Sequence, residues 1–236
     1  MEVIQMKDKD SSFSKISFKE LSFERKLEYL WDYYKFHFLG GLFVLLLLIG
    51  SILIWQENSK PDILNGYLLN SNWGDDLAKE LLEDFVDAKG YDLEQGNAYF
   101  NSSVFIDTDI KDQMSTVAYT KVMTDLDMKE IDFFFCNQEM FEYFGEKETF
   151  LNLTQNLPTD MLDKFQNKLV TTNIYDENGN VTDTYVAGID ISDAPVLLKM
   201  QEERKLYEDG QVFLTIPYNT TRLDTVIEFI EFLYEE

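Results

Sequence analysis

The chain has 236 residues and a formal net charge of −24, set by 20 Lys/Arg against 44 Asp/Glu, with one histidine and one cysteine. A surface this acidic repels nucleic acid and anionic lipid headgroups, which excludes polyanion ligands and leaves cationic, neutral or calcium-carrying partners. Solubility alone accounts for the same charge.

Residues 1–16 are polar and unpatterned and read as a disordered tail. Ser17-Phe-Lys-Glu20 has the form of a capping box. From there Phe23, Leu27, Leu30, Trp31, Tyr34 and Phe38 recur at three- and four-residue spacing, opposite Glu24, Arg25, Glu28 and Asp32. This predicts an amphipathic helix over 17–35, lying at a membrane interface or meeting a partner helix.

Phe36 to Gln56 then runs 21 residues without an acidic or cationic side chain. At 1.5 Å per residue it reaches about 31 Å, close to the ~30 Å hydrocarbon thickness of a bilayer. Apolar residues on every face disfavour a core helix, and the lack of an Ala-x-Ala exit disfavours a cleaved signal peptide. The segment therefore reads as an uncleaved signal anchor. Its Gly40-Gly41 and Gly50 are not spaced as Gly-x-x-x-Gly. Lys19, Arg25, Lys26 and Lys35 lie before it and only Lys60 close after it, which predicts a cytoplasmic N-terminus and an extracellular C-terminal part.

Residues 57–236 hold 13 Lys/Arg and 37 Asp/Glu and so carry the whole net charge of −24. They are expected to form a short linker, 57–61, and one extracytoplasmic domain, 62–236. Its lone Cys136 allows no internal disulfide, as suits a Gram-positive-like bacterial surface. The four Asn-x-Ser/Thr sites, at Asn101, Asn152, Asn180 and Asn219, have no meaning in that setting.

Within the domain, strand-like and helix-like stretches alternate. Asp62–Asn70, Asn97–Ile106 and Ile131–Cys136 read as strands; Asp75–Lys89, Asp109–Leu126 and a stretch capped by Asn137 read as helices. Ile131–Cys136 is almost wholly apolar, as a central strand buried on both faces must be. Such alternation implies a mainly parallel sheet with helices on both faces. After a short helix opened by Pro158, Leu169–Tyr175 and Thr184–Ile191 are β-rich and flank Asn178-Gly179, a β-hairpin turn signal. A helix opened by Pro195, a strand over Gln211–Pro217 and a closing helix over Arg222–Tyr234 complete an α/β domain.

The only histidine is His37, at the membrane boundary, so the outer domain has none. That excludes Ser-His-Asp and Cys-His catalysis there, and zinc sites built from His and Cys. No phosphate-cradling glycine loop is present. Carboxylates are abundant: Asp107, Asp109 and Asp112 cluster before one helix, and Asp190 and Asp193 before another. Helix capping explains both groups best, with a calcium site or a carboxylate-dependent hydrolase as the alternatives. Asp176–Asn180 resembles part of a calcium loop, but Ala187 stands where its last ligand belongs. Cys136 ends an apolar strand and reads as a packed, inert thiol.

The stretch KLEYLWDYYKFHFLGG resembles the membrane-entry segment of a group of uncharacterised single-span membrane proteins of Clostridia-like Firmicutes. The stretches IDFFFC, FLNL, YVAGIDISDAPVLL and QVFLTIPYNTTRLDTVIEFIEFL give the outer domain a resemblance to the type 2 periplasmic-binding fold of extracellular solute-binding proteins. That resemblance implies a reduced, membrane-anchored member of the fold and no particular ligand residue. The expectation is a non-enzymatic domain, without cofactor or metal, that binds a small molecule or a protein partner; an accessory or scaffold subunit of a membrane complex is the alternative. Ligands in open α/β sheets sit beyond the carboxyl ends of strands, which nominates Asn70, Trp73, Asn137, Asp190 and Asp193.

Overall fold

The computed structural model of the chain describes residues 4–5, 15–16, 22–108 and 113–235. The chain divides into two compact units, Met1–Ser59 and Lys60–Glu236.

In the first unit β1 (Ile4–Gln5) pairs antiparallel with β2 (Lys15–Ile16), Ile4 opposite Ile16. The rest of the expected tail and the capping box at 17–20 lie outside the described residues. A single helix, α1, runs from Phe23 to Asn58 without interruption for 36 residues. The amphipathic stretch and the apolar stretch, expected as two elements, are thus one helix about 54 Å long. It also takes up the first residues of the expected linker, leaving Ser59–Pro61 before the next strand. Tyr34–Trp55, 22 residues, is long and apolar enough to cross a membrane, and its large apolar side chains are exposed.

The second unit starts with β3 (Asp62–Leu68), α2 (Asp75–Lys89), β4 (Asn97–Asn101), α3 (Gln113–Asp127), β5 (Phe133–Cys136) and α4 (Gln138–Gly145). Two short helices follow, α5 (Leu153–Asn156) and α6 (Thr159–Lys164). The chain ends with β6 (Leu169–Tyr175), β7 (Val181–Asp190), α7 (Pro195–Gln201), β8 (Phe213–Thr215) and α8 (Leu223–Leu233). The expected helix over 109–126 begins at Gln113 among the described residues, since 109–112 lie outside them.

One open sheet has the order β4-β3-β5-β8-β7-β6. β3 pairs in parallel with both β4 and β5, whereas β5–β8, β8–β7 and β7–β6 are antiparallel. Four of the six strands still run in one direction. Parallel pairing is confined to one half because the β6–β7 hairpin reverses the chain and β8 then inserts between β7 and β5. Gly179, at φ 80°, makes the hairpin turn, and the Asp176 carboxylate closes it by accepting the backbone N–H groups of Asn178 and Asn180 at 2.9 and 2.8 Å.

Alternate residues of β3 and β5 fall into two apolar clusters. Leu64, Leu68, Phe133 and Phe135 pack with Leu81 and Phe85 of α2 and Phe229 and Ile230 of α8. Tyr67, Leu69, Phe134 and Cys136 pack with Val122 and Leu126 of α3 and Phe141 and Phe144 of α4. The period-2 alternation of a strand produces this division. Gly66 is required where it stands, because a Cβ there would lie 2.1 Å from the Phe133 ring. At the amino end of β5, the wholly buried Asp132 accepts from the Asn65 backbone N–H at 2.8 Å, the Thr220 hydroxyl at 2.8 Å and Arg222 Nε at 2.7 Å.

Candidate functional site

Register places Leu68 beside Phe135, and both Cys136 and Asp190 opposite Phe213. The carboxyl ends of β3, β5 and β7 therefore share one edge of the sheet. β3 connects through α2 to β4 on one side, and β4 connects through α3 to β5 on the other. The strand order reverses about β3, the place where open α/β sheets form crevices.

The five residues nominated from sequence all lie along that edge, and each is held in local structure. Asn70 stands at φ 54°, a left-handed conformation that Asn tolerates. Its amide pairs twice with the backbone of Ile106, accepting at 2.7 Å and donating at 2.8 Å, and so ties the segment after β4 to the end of β3. Trp73 is 2% exposed, and its indole N–H donates to the Arg204 carbonyl at 2.7 Å. Asn137 caps α4 by accepting from the Met140 N–H at 3.0 Å. Asp190 accepts from the backbone and hydroxyl of Ser192 at 3.0 and 2.5 Å. Asp193 pairs with Lys168 at 2.7 Å and accepts from the Tyr234 hydroxyl at 3.1 Å; the neighbouring ammonium holds its carboxyl below the usual carboxylate range.

Two concavities open at the β3–β4 part of the edge. One, of about 490 Å³, is lined by Ser71, Trp73, Asp75, Ser102, Ser103 and Arg204 among others. The other, of about 400 Å³, is lined by Asn70, Ile106, Asp107, Ser115 and Glu139. Phe105, 58% exposed, contributes to the walls of both. The structure thus brings Asn70 and Trp73 to concave surface, whereas Asn137, Asp190 and Asp193 line neither concavity.

The larger concavity combines several chemistries. Its lining includes Gly74 and Asp75 at the start of α2, where no side chain caps the first amide groups of the helix. The Asp75 carboxylate accepts from the hydroxyls of Ser102 and Ser103, each at 3.1 Å. Arg204 supplies the cation, and its guanidinium makes no ion pair among the described residues. This set can accept a small polar molecule carrying both a donor and an acceptor group.

Sequence reasoning did not nominate Arg204, Phe105, Ser102 or Ser103. Arg204 lies in an irregular stretch between α7 and β8, where no periodicity marks it. One signal was available: residues 57–236 contain only two arginines, Arg204 and Arg222. Phe105 sits in a stretch expected to continue a strand, but β4 ends at Asn101 and leaves Phe105 in the following loop.

A second polar cluster lies under α3. The Tyr67 hydroxyl donates to Asp125 and accepts from Lys121 Nζ at 2.8 Å. Burial and the adjacent carboxylate hold the Tyr67 phenol well above its ordinary pKa, so it stays a neutral donor. Cys136 is wholly buried, and burial raises its thiol pKa far out of the reactive range. Among the described residues no group of three or more His, Cys, Asp or Glu is placed to hold a metal ion. No family model matches this chain, and neither does any curated protein or solved structure.

Proposed function

We propose that this is a single-pass membrane protein, anchored by Tyr34–Trp55 with its N-terminus cytoplasmic, whose extracellular α/β domain captures a small polar ligand without chemical turnover. The observation that carries the reading is the pair of concavities meeting at Phe105, at the strand ends where the order reverses about β3. The polar set Arg204, Asp75, Ser102 and Ser103 recognises charge and hydrogen-bonding groups, and Phe105 offers apolar area. The absence of histidine from residues 57–236 supports binding over acyl-transfer chemistry. In the same reading the sheet carries helices on both faces, in keeping with its two apolar clusters, and the domain resembles a reduced solute-binding protein.

A second reading, an accessory or scaffold subunit of a membrane complex, is favoured by Met114 and Val117, 76% and 59% exposed on α3. Both readings meet one experiment on the full-length chain. In intact cells a membrane-impermeant thiol reagent should label Asn58→Cys and not Ser12→Cys; the reverse pattern overturns the orientation. A thermal-shift screen of small polar compounds on the detergent-solubilised chain should then give hits that Phe105→Ser weakens. Co-purifying membrane subunits and no hit would replace ligand capture by the subunit reading.

A further inference from the structure

Because α1 is unbroken from Phe23 to Asn58, one phase can be followed along its whole length. Taking every third and fourth residue in alternation gives ten positions: Phe23, Leu27, Leu30, Tyr34, His37, Gly41, Val44, Leu48, Ser51 and Trp55. This is the a/d seam of a heptad repeat, sustained across both the amphipathic segment and the candidate span. None of the helix's Asp, Glu, Lys or Arg falls on it: Glu24, Arg25, Lys26, Glu28, Asp32, Lys35 and Glu57 all take other positions.

The composition of the seam changes where the medium changes. Before the span it is Phe23, Leu27 and Leu30, large apolar residues that associate in water because water is displaced. Inside lipid that driving force disappears, and close approach of small residues and contacts between polar ones take over. Of the seven seam positions within Tyr34–Trp55, three are His37, Gly41 and Ser51; the fifteen other residues of the span are large and apolar except for Gly40, Gly50 and, at its first turn, Lys35. Gly40 flanks the seam beside Gly41, and a Cβ built at either glycine meets no atom within 4 Å. Ser51 donates its hydroxyl back to the Leu47 carbonyl at 2.8 Å, which leaves it compact and keeps an acceptor lone pair outward. One seam therefore carries, in each medium, the residues that drive helix pairing there.

We propose that α1 pairs along this seam with α1 of a second copy of the chain, as a parallel left-handed two-helix coil continuing from the cytoplasmic segment through the bilayer. A second copy is the fitting occupant because it necessarily has the same orientation in the membrane. It also matches the seam layer by layer, Phe23 and Leu27 at the same depth as their equivalents and Gly41 against Gly41. A heptad phase held over this length drifts on a straight helix, and supercoiling the pair absorbs the drift. The pairing rests on the membrane reading of Tyr34–Trp55. It would place two ligand-binding domains on one anchor, so that a bivalent ligand would gain by avidity.

Cysteine crosslinking of the full-length chain in native membranes tests this, with the buried Cys136 left in place as background. Val44→Cys and Ser51→Cys, on the seam, should form disulfide-linked dimers under mild oxidation. Leu46→Cys and Leu53→Cys, on the opposite face, should give about tenfold less, and Gly41→Leu should reduce the Ser51→Cys dimer several-fold. Equal crosslinking at all four positions, or none at any while the chain remains in the carbonate-resistant membrane fraction, would overturn the pairing alone. Recovery of the chain in the soluble fraction would overturn both the pairing and the membrane reading.

Discussion

The two ends of the sheet put the second unit's two arginines to different use. At the amino end of β5, Arg222 is committed: Nε bonds the wholly buried Asp132 at 2.7 Å and Nη2 donates to the Lys129 carbonyl at 3.1 Å. At the carboxyl ends of β3 and β4, Arg204 is exposed and lines an open concavity. Asp132 makes the first arrangement obligatory, since a buried carboxylate without a counter-charge costs several kcal/mol. Among the described residues, the bond that Arg204 makes to a buried group, Trp73, comes from its backbone carbonyl and not from its side chain. The contrast separates a closed end that holds the fold from an open end available for recognition.

Substitution at the closed end should have the largest effect. Arg222→Ala leaves Asp132 buried without its cation and should lower the stability of the unit by about 3–5 kcal/mol in denaturant unfolding of the full chain. Burial already pushes the Asp132 carboxyl up, and Arg222 is the main opposing influence. Without it the folded-state pKa rises further above the unfolded value of about 4. A group raised in this way gives its stability below the unfolded pKa and loses it as pH rises through the folded one. The variant should therefore be less impaired near pH 4 than at neutral pH. A loss under ~1 kcal/mol that does not change with pH would break the contrast between the ends.

An intermediate effect is expected at Asn70, which belongs to the open end but organises it. Asn70→Ala removes two hydrogen bonds to Ile106 and places a Cβ residue without a compensating amide at φ 54°. About 2 kcal/mol should be lost, with faster amide exchange at Ile106. Asn70→Gly, which accepts the backbone angle but not the hydrogen bonds, should recover part of the stability and none of the exchange protection. If both variants exchange at the wild-type rate, the wall carrying Phe105 is held by other contacts.

The two arginines' roles left no mark in the sequence, but many elements of the fold did, for reasons that differ by element. The almost wholly apolar run Ile131–Cys136 announced a strand buried on both faces, and the strand occupies Phe133–Cys136 of it. Asp75–Lys89 carries its helix in its periodicity. The β6–β7 hairpin followed from Asn178-Gly179, whose local turn chemistry is independent of the rest of the fold. Where β8 inserts could not be read: antiparallel pairing with both β5 and β7 is a tertiary choice that leaves no local period. The site was legible only as an edge. Trp73, picked for its place after a strand, proves to be a wall of the core, and Arg204 reaches the same wall from 131 residues further along the chain.

That long-range contact makes the smallest stability change the most informative one. The Trp73 indole is held by the backbone carbonyl of Arg204 and not by its side chain, so Arg204→Ala keeps the anchor of the wall intact. The exposed guanidinium has no ion pair among the described residues to lose, and stability should stay within ~0.5 kcal/mol of wild type. Affinity for a ligand with an anionic or carbonyl group, identified by screening, should nevertheless fall by at least about tenfold, since the cation is the strongest donor in the concavity. Arg204→Lys sharpens the reading: a point charge restores simple electrostatic attraction, whereas a planar two-point contact is not restored by lysine. Isothermal titration of the three proteins distinguishes these outcomes. Undiminished binding to Arg204→Ala would move the ligand to the neighbouring concavity lined by Asn70 and Glu139, on the other side of Phe105.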